Sequence, residues 1–234
     1  LKVGSANISA SYAGFNGSQL VTVSLPRFTD DFSVTHDYLL NGLPGSTWDG
    51  LYSAPGDLPA GNNGGDSMNT VIADANVSTS AALTVSASGT TFEGAPDDGF
   101  FLFKVVPGDF QAIVHVDLSS HGAYQFAGLV ARAFNSTNGG GPYRGSEHNM
   151  AWWFFDQFST PVSLRATVNG AATEQNLSGT TPVNTMWLLL TRLNGTNFTG
   201  YYKLNPTDPW TFGASSVDAS LSNGVPVQIG LAQS

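Results

Sequence analysis

Between Phe110 and Leu118 the chain alternates. Phe110, Ala112, Val114, Val116 and Leu118 share one face, and Gln111, Ile113, His115 and Asp117 share the other. A period of two with one apolar face suits a half-buried antiparallel strand, and a helix would scatter the same residues around its axis. The flanking runs extend the pattern. Phe100 to Val106 is apolar on both faces, as a central strand covered on both sides would be. Pro107-Gly108 breaks the first run from the second, and Ser119-Ser120-His121-Gly122 breaks the second from the third. The stretch Gly99 to Phe134 therefore predicts a three-strand meander at the centre of an all-β protein.

The rest of the chain keeps that character. Residues 1–26 predict a hairpin, with Ala6 to Tyr12 and Gln19 to Ser24 as its arms and Ala13 to Gly17 as its turn. Leu25-Pro26-Arg27 marks a boundary, so the expected organisation is an N-terminal hairpin over 1–26 and a larger domain over 27–234. Residues 36–69 are rich in Gly and Pro and predict a long loop, a feature more often functional than inert. A second polar loop covers 135–149. Asn169-Gly170 predicts a tight turn between Val162–Val168 and Ala172–Leu177, and Asn194-Gly195 another between Trp187–Leu193 and Phe198–Leu204. Val225 to Leu231 is the last apolar run, and no segment has a helical period.

Composition excludes several classes of function. Net charge is −9 with eight basic residues in all, so clusters of Lys and Arg that could neutralise phosphates are not expected. Neither nucleic acid nor an anionic membrane surface is an expected partner, and no 18-residue apolar run predicts membrane insertion. There is no cysteine, which rules out disulfides and thiolate metal sites. Seven Asn-x-Ser/Thr sequons occur, a number that a Ser/Thr/Asn-rich chain makes by chance. A Gly-, Ser-, Thr- and Asn-rich β chain with 11% charged residues is typical of secreted bacterial proteins, and an extracellular location is expected.

Three stretches together resemble a known family. They are Asp30-Asp31-Phe32; then GFFLFKVVPGDFQAIVHVDL with AGLVAR; then WLLLTRLNGTNFTGYYKLNPTDPW leading to VQIGLAQS. Over residues 28–234 they resemble the concanavalin A-like lectin/glucanase domains found beside bacterial glycoside hydrolases, of the regulation-of-enolase and β-xylosidase C-terminal types. The resemblance implies an antiparallel jelly-roll β-sandwich with one concave sheet, and often a structural calcium, for which Asp31 is the candidate ligand. Strand-start turn chemistry is the competing account of Asp30-Asp31. Members continue past the "GLA" strand into a closing strand, which this chain lacks, so the N-terminal hairpin is a candidate cover for the open edge. The pattern NISASYAGFNGSQLVTVS also resembles the last strands of a bacterial immunoglobulin-like repeat. The hairpin is then either the remnant of a neighbouring module or part of the main sandwich.

Catalysis has little to work with. A glycosidase needs two carboxylates about 5–10 Å apart, and the chain has only three glutamates, Glu93, Glu147 and Glu174. The Glu-x-Asp-x-x-Glu string of laminarinase-type members is absent. His36, His115, His121 and His148 lack metal-ligand spacing and are expected as surface or loop residues. Aromatic residues, at 12%, outnumber charged ones. Sugars present flat C–H faces to such rings, so the expected function is a non-catalytic carbohydrate-binding module acting on a neutral or weakly charged plant or algal polysaccharide. The candidate binding residues are Trp48, Arg132, Arg144, Glu147, His148, Trp152, Trp153 and Tyr201. Of Trp152 and Trp153, strand neighbours, one is expected in the core and the other exposed on the concave face; Trp48 and Trp210, in loops, are expected to be exposed. A glycoside hydrolase or polysaccharide lyase on the same fold is the first alternative. A structural or adhesive module without a sugar ligand is the second.

Overall fold

The computed structural model describes residues 4–12, 15–23, 28–39, 48–52, 71–78, 81–88, 100–118, 125–134, 145–156, 162–169, 171–177, 183–221 and 224–233. The chain divides into two compact units, Leu1–Asp30 and Asp31–Ser234. The first holds one hairpin, β1 (Gly4–Tyr12) and β2 (Phe15–Val23). Tyr12 pairs with Phe15, so β2 begins within the segment 13–17 that the alternation assigned to the turn.

The second unit is an all-β antiparallel sandwich. Its first sheet has seven strands, in the order β12 (Ala171–Asn176), β11 (Val162–Val168), β10 (Gly145–Asp156), β9 (Phe126–Phe134), β16 (Val227–Gln233), β7 (Phe100–Val106) and β4 (Gly50–Tyr52). A four-stranded sheet runs β15 (Thr211–Val217), β14 (Asn197–Lys203), β13 (Thr185–Leu193) and β8 (Phe110–Asp117). A three-stranded sheet runs β3 (His36–Asp37), β5 (Val71–Val77) and β6 (Thr84–Ser88).

The main core lies between the seven- and four-stranded sheets. Leu129, Trp153, Phe155, Leu164 and Ile229 face Phe110, Val116, Met186, Leu188 and Phe198. A second core joins the β4–β7 end to the three-stranded sheet through Leu51, Phe100, Leu102, Tyr38, Ala75 and Val77. The expected meander over 99–134 is overturned. The strands β7 and β9 lie in the seven-stranded sheet but β16 separates them, while β8 crosses to the other sheet and pairs with β13. Alternation fixed which face of β8 is apolar, and it carried no information about the partner strand. The open-edge expectation also changes. The "GLA" strand is β16, paired on both sides, and among the described residues the edges of its sheet are β12 and β4.

Both hairpins that the Asn-Gly pairs predicted are present. β11 pairs with β12 and β13 with β14, and Asn169 (φ 50), Asn194 (φ 55) and Gly195 (φ 74) take the left-handed conformation such turns need. Asp109 ties down the second turn, accepting from Asn194 N at 3.0 Å and Gly195 N at 2.8 Å. Arg192, fully buried beside it, donates to four backbone carbonyls. Its Nε reaches Gly195 O (2.7 Å), Nη1 reaches Gly108 O (3.2 Å), and Nη2 reaches Leu221 O (2.8 Å) and Val225 O (3.0 Å). Burial lowers the guanidinium pKa from its ordinary value, and Asp109 and Asp218 act in the opposite direction.

Candidate functional site

Strand pairing sorts the expected binding residues. Trp152 lies between Val130 of β9 and Arg165 of β11, on the face of the seven-stranded sheet that points away from the main core. Arg132 shares that face, and its Nε donates to Gln228 Oε1 at 2.7 Å. Its guanidinium sits 4.9 Å from the centre of the Phe101 ring. Beyond Trp152, Arg165 pairs with Glu174 at 3.2 Å. The sheet thus gathers Arg132, Gln228, Trp152 and Arg165 into one polar band set among Phe101, Phe126 and Phe154.

The centre of this band is closed to solvent, with Trp152 0% and Arg132 1% exposed, while Arg165 at its margin is part-exposed. Trp153 points the other way into the main core, also at 0%, with its Nε1 donating to Tyr201 O at 2.9 Å. The expected split of the pair between two faces is present, but the expected exposure of one ring is corrected. β10 is flanked by β9 and β11; one of its faces puts Trp153 in the main core, and the other puts Trp152 in a cluster with Phe101, Phe103, Phe126 and Phe154. Trp48 is corrected in the same way. It is 8% exposed, stacks on Phe32 (centroids 6.4 Å apart, planes 14°), and belongs to the second core. Its neighbour Asp49 anchors that segment to β7, accepting from Lys104 Nζ at 2.9 Å and Val105 N at 2.8 Å. Arg144 lies outside the described residues. The backbones of Glu147 and His148 fall in β10 where its register against β9 shifts, between Ser146 and Met150; their side chains lie outside the described residues.

Asp31 is exposed, and its Oδ1 accepts from Ser33 N at 3.1 Å, closing a turn just before β3. Among the described residues no three His, Cys, Asp or Glu side chains gather in a way that could hold a metal ion. Hydrogen bonds from the Ser33 side chain and backbone hold the Asp31 carboxyl below the ordinary aspartate value. Its contribution to stability is present above the unfolded-state value and lost as pH falls through the folded one. In an NMR pH titration Asp31 should ionise below an ordinary aspartate, and Ser33→Ala should move its midpoint upward. A midpoint indifferent to Ser33→Ala would show that the Ser33 hydroxyl does not hold the carboxylate.

The outward face of the four-stranded sheet is different. Pairing of β8, β13, β14 and β15 builds three rows across it. Gln111, Thr191, Thr199 and Ser215 form a polar row. Ile113, Leu189, Tyr201 and Phe212 form an apolar one, in which Tyr201 and Phe212 meet edge to face with centroids 6.0 Å apart. His115, Trp187 and Lys203 form the third. Its imidazole stacks on the Trp187 ring at 4.7 Å, and the Lys203 ammonium lies 5.6 Å from Trp187 and 4.9 Å from Trp210. Ile113 is 55% and Phe212 59% exposed.

Of the expected sugar-binding residues whose side chains are described, then, Arg132 and Trp152 share one buried band, and Tyr201 reaches this exposed face. Reading the sequence missed Trp187 and Lys203 and set His115 aside as a surface residue. The signal was present in the odd-numbered positions of three strands. It becomes visible only once the pairing brings 115, 187 and 203 abreast.

No family model matches the chain, and no curated protein matches it. Two solved structures are similar in part. One is a functionally unknown protein from Saccharomyces cerevisiae, 18% identical, with a TM-score of 0.42, covering 59% of this chain and 66% of that one. The other is a xylan β-1,4-xylosidase from Bacillus halodurans C-125, 12% identical, with a TM-score of 0.44, covering 58% of this chain. The chain spans 26% of the length of that xylosidase. Likeness this distant assigns neither a family nor an activity.

Proposed function

We propose that this chain is a non-catalytic carbohydrate-binding module of the concanavalin A-like type, working outside the cell as one part of a larger secreted protein. Sugar meets it on the outward face of the four-stranded sheet. One observation carries the reading: Tyr201 and Phe212 form an aromatic pair on a sheet surface, with Phe212 59% exposed, beside a row of hydroxyl and amide side chains. An exposed ring accepts the C–H face of a pyranose, and hydroxyl and amide groups orient its oxygens. A structural calcium near Asp31 belongs to the same proposal.

Retention of the protein in native gels cast with xyloglucan, mixed-linkage glucan, xylan, mannan, laminarin or alginate tests it. Phe212→Ala should weaken binding to the retained polymer by about 1–2 kcal/mol, the effect of losing one anchoring ring. The thermal midpoint should hardly move, since the ring is mostly solvated. Release of reducing or unsaturated ends would overturn the non-catalytic reading, and equal retention of wild type and variant would move the site elsewhere.

A further inference from the structure

The chain is acidic overall, with a net charge of −9, yet this face carries a cation, Lys203, at the end of β14. Among the described Lys and Arg residues, Lys104 is paired with Asp49 and Arg165 with Glu174, while Arg132 and Arg192 are fully buried. Lys203 is the one that is part-exposed and has no carboxylate at ion-pair distance. Trp187 and Trp210 flank its ammonium, and one N–H donates to Pro206 O. An ammonium has three donors, so two remain for a ligand.

The neighbours share its bias. Indole nitrogens only donate, and the His115 ring lies against the same Trp187. A neutral sugar brings donors and acceptors in equal measure, whereas a carboxylate or sulfate brings acceptors alone and returns a charge-assisted bond. The nearest carboxylates along these elements are Asp117, two residues beyond His115 on β8, and Asp208, which accepts from Asn205 N and Nδ2. Repulsion from the rest of the acidic surface fades over a screening length of about 8 Å at physiological salt, so a contact at Lys203 acts locally.

We propose that Lys203, set between Trp187 and Trp210, recognises an anionic oxygen group on the bound glycan, a uronate carboxylate or a sulfate ester. The proposal rests on the carbohydrate-binding reading of the same face. It predicts that anionic polymers bind better than their neutral counterparts.

The full chain is run in native gels containing polygalacturonate or its methyl ester, alginate or mannan, and sulfated or desulfated galactan, and affinities are taken from the retardation. Wild type should prefer an anionic member of at least one pair, and which pair it is separates carboxylate from sulfate. Lys203→Met, which keeps the apolar stem against both rings, should weaken that binding about tenfold, the equivalent of one charge-assisted hydrogen bond. Lys203→Arg should retain it. Binding to a neutral polymer should change less than about twofold, since it draws on no charge at this position. If Lys203→Met also lowers the thermal midpoint, the salt series decides, because sodium chloride should erode the wild-type preference for the anionic polymer. Equal affinity within every pair, or a Lys203→Met loss that is the same for both members, overturns the charge proposal and leaves the carbohydrate reading standing. Retention by no polymer at all overturns the carbohydrate reading itself.

Discussion

Replacing Arg192 with methionine is expected to destabilise the sandwich by about 3–5 kcal/mol, the range seen when one partner of a buried charged network is removed. The side chain fastens four separate places to one another: the Asn194-Gly195 turn, the Pro107-Gly108 turn, the short 3₁₀ segment Ala219–Leu221 and the approach to β16 at Val225. Methionine fills similar volume and donates nothing. Each carbonyl left buried without a donor costs about 1–3 kcal/mol, and Asp109 and Asp218 lose a neighbouring positive charge. Arg192→Lys should fall between, since an ammonium cannot span the guanidinium fork. Urea unfolding followed by tryptophan fluorescence measures the order. If Arg192→Met and wild type unfold at the same urea concentration, the four carbonyls find other donors and this account of the loop end is wrong.

The second large effect is expected at Trp153. Its indole crosses the main core and lies on bare backbone of the opposite sheet, where a Cβ added at Gly200 would come within 2.4 Å of the ring and one at Gly213 within 2.3 Å. Trp153→Ala removes the largest side chain of that core and should destabilise by about 3–5 kcal/mol. Trp153→Phe retains most of the contact but leaves Tyr201 O without its indole donor, and should cost about 1–2 kcal/mol. Gly200→Ala forces a methyl group into the ring and should cost about 1–3 kcal/mol on its own. The informative measurement is the pair. In a Trp153→Ala background the added methyl enters vacated space, so Gly200→Ala should become nearly neutral. Additive losses would show that the glycine serves some purpose other than clearing room for the indole.

Legibility in the sequence followed the range of the interactions. Short-range signals were decisive: the alternation of β8 gave its buried face, and each Asn-Gly pair gave a hairpin. The opposite orientation of Trp152 and Trp153 also follows from the pleat alone. Whether either ring is exposed does not, because exposure depends on what packs over each face, and that involves strands far away in sequence. β15 went unread for a local reason. Thr211-Phe212-Gly213-Ala214-Ser215-Ser216-Val217 is small and weakly β-forming, and its place at a sheet edge beside a register shift at Gly200/Tyr201 relaxes the usual demands on composition. The exposed row of His115, Trp187 and Lys203 was hidden for the opposite reason. Each residue is ordinary by itself, and three strands have to align before they become neighbours.

The central position of β16 dictates an order of events during synthesis. This strand joins β9 to β7, and its partners lie roughly a hundred residues earlier in the chain, a separation that slows folding by the entropy of closing so large a loop. Until Val227–Gln233 has emerged from the ribosome, the seven-stranded sheet exists at most as two halves. Both halves then present unpaired apolar edges, Phe100–Val106 and Phe126–Phe134, on which other chains can pair. Truncation before residue 227 should therefore yield aggregates in place of a smaller domain.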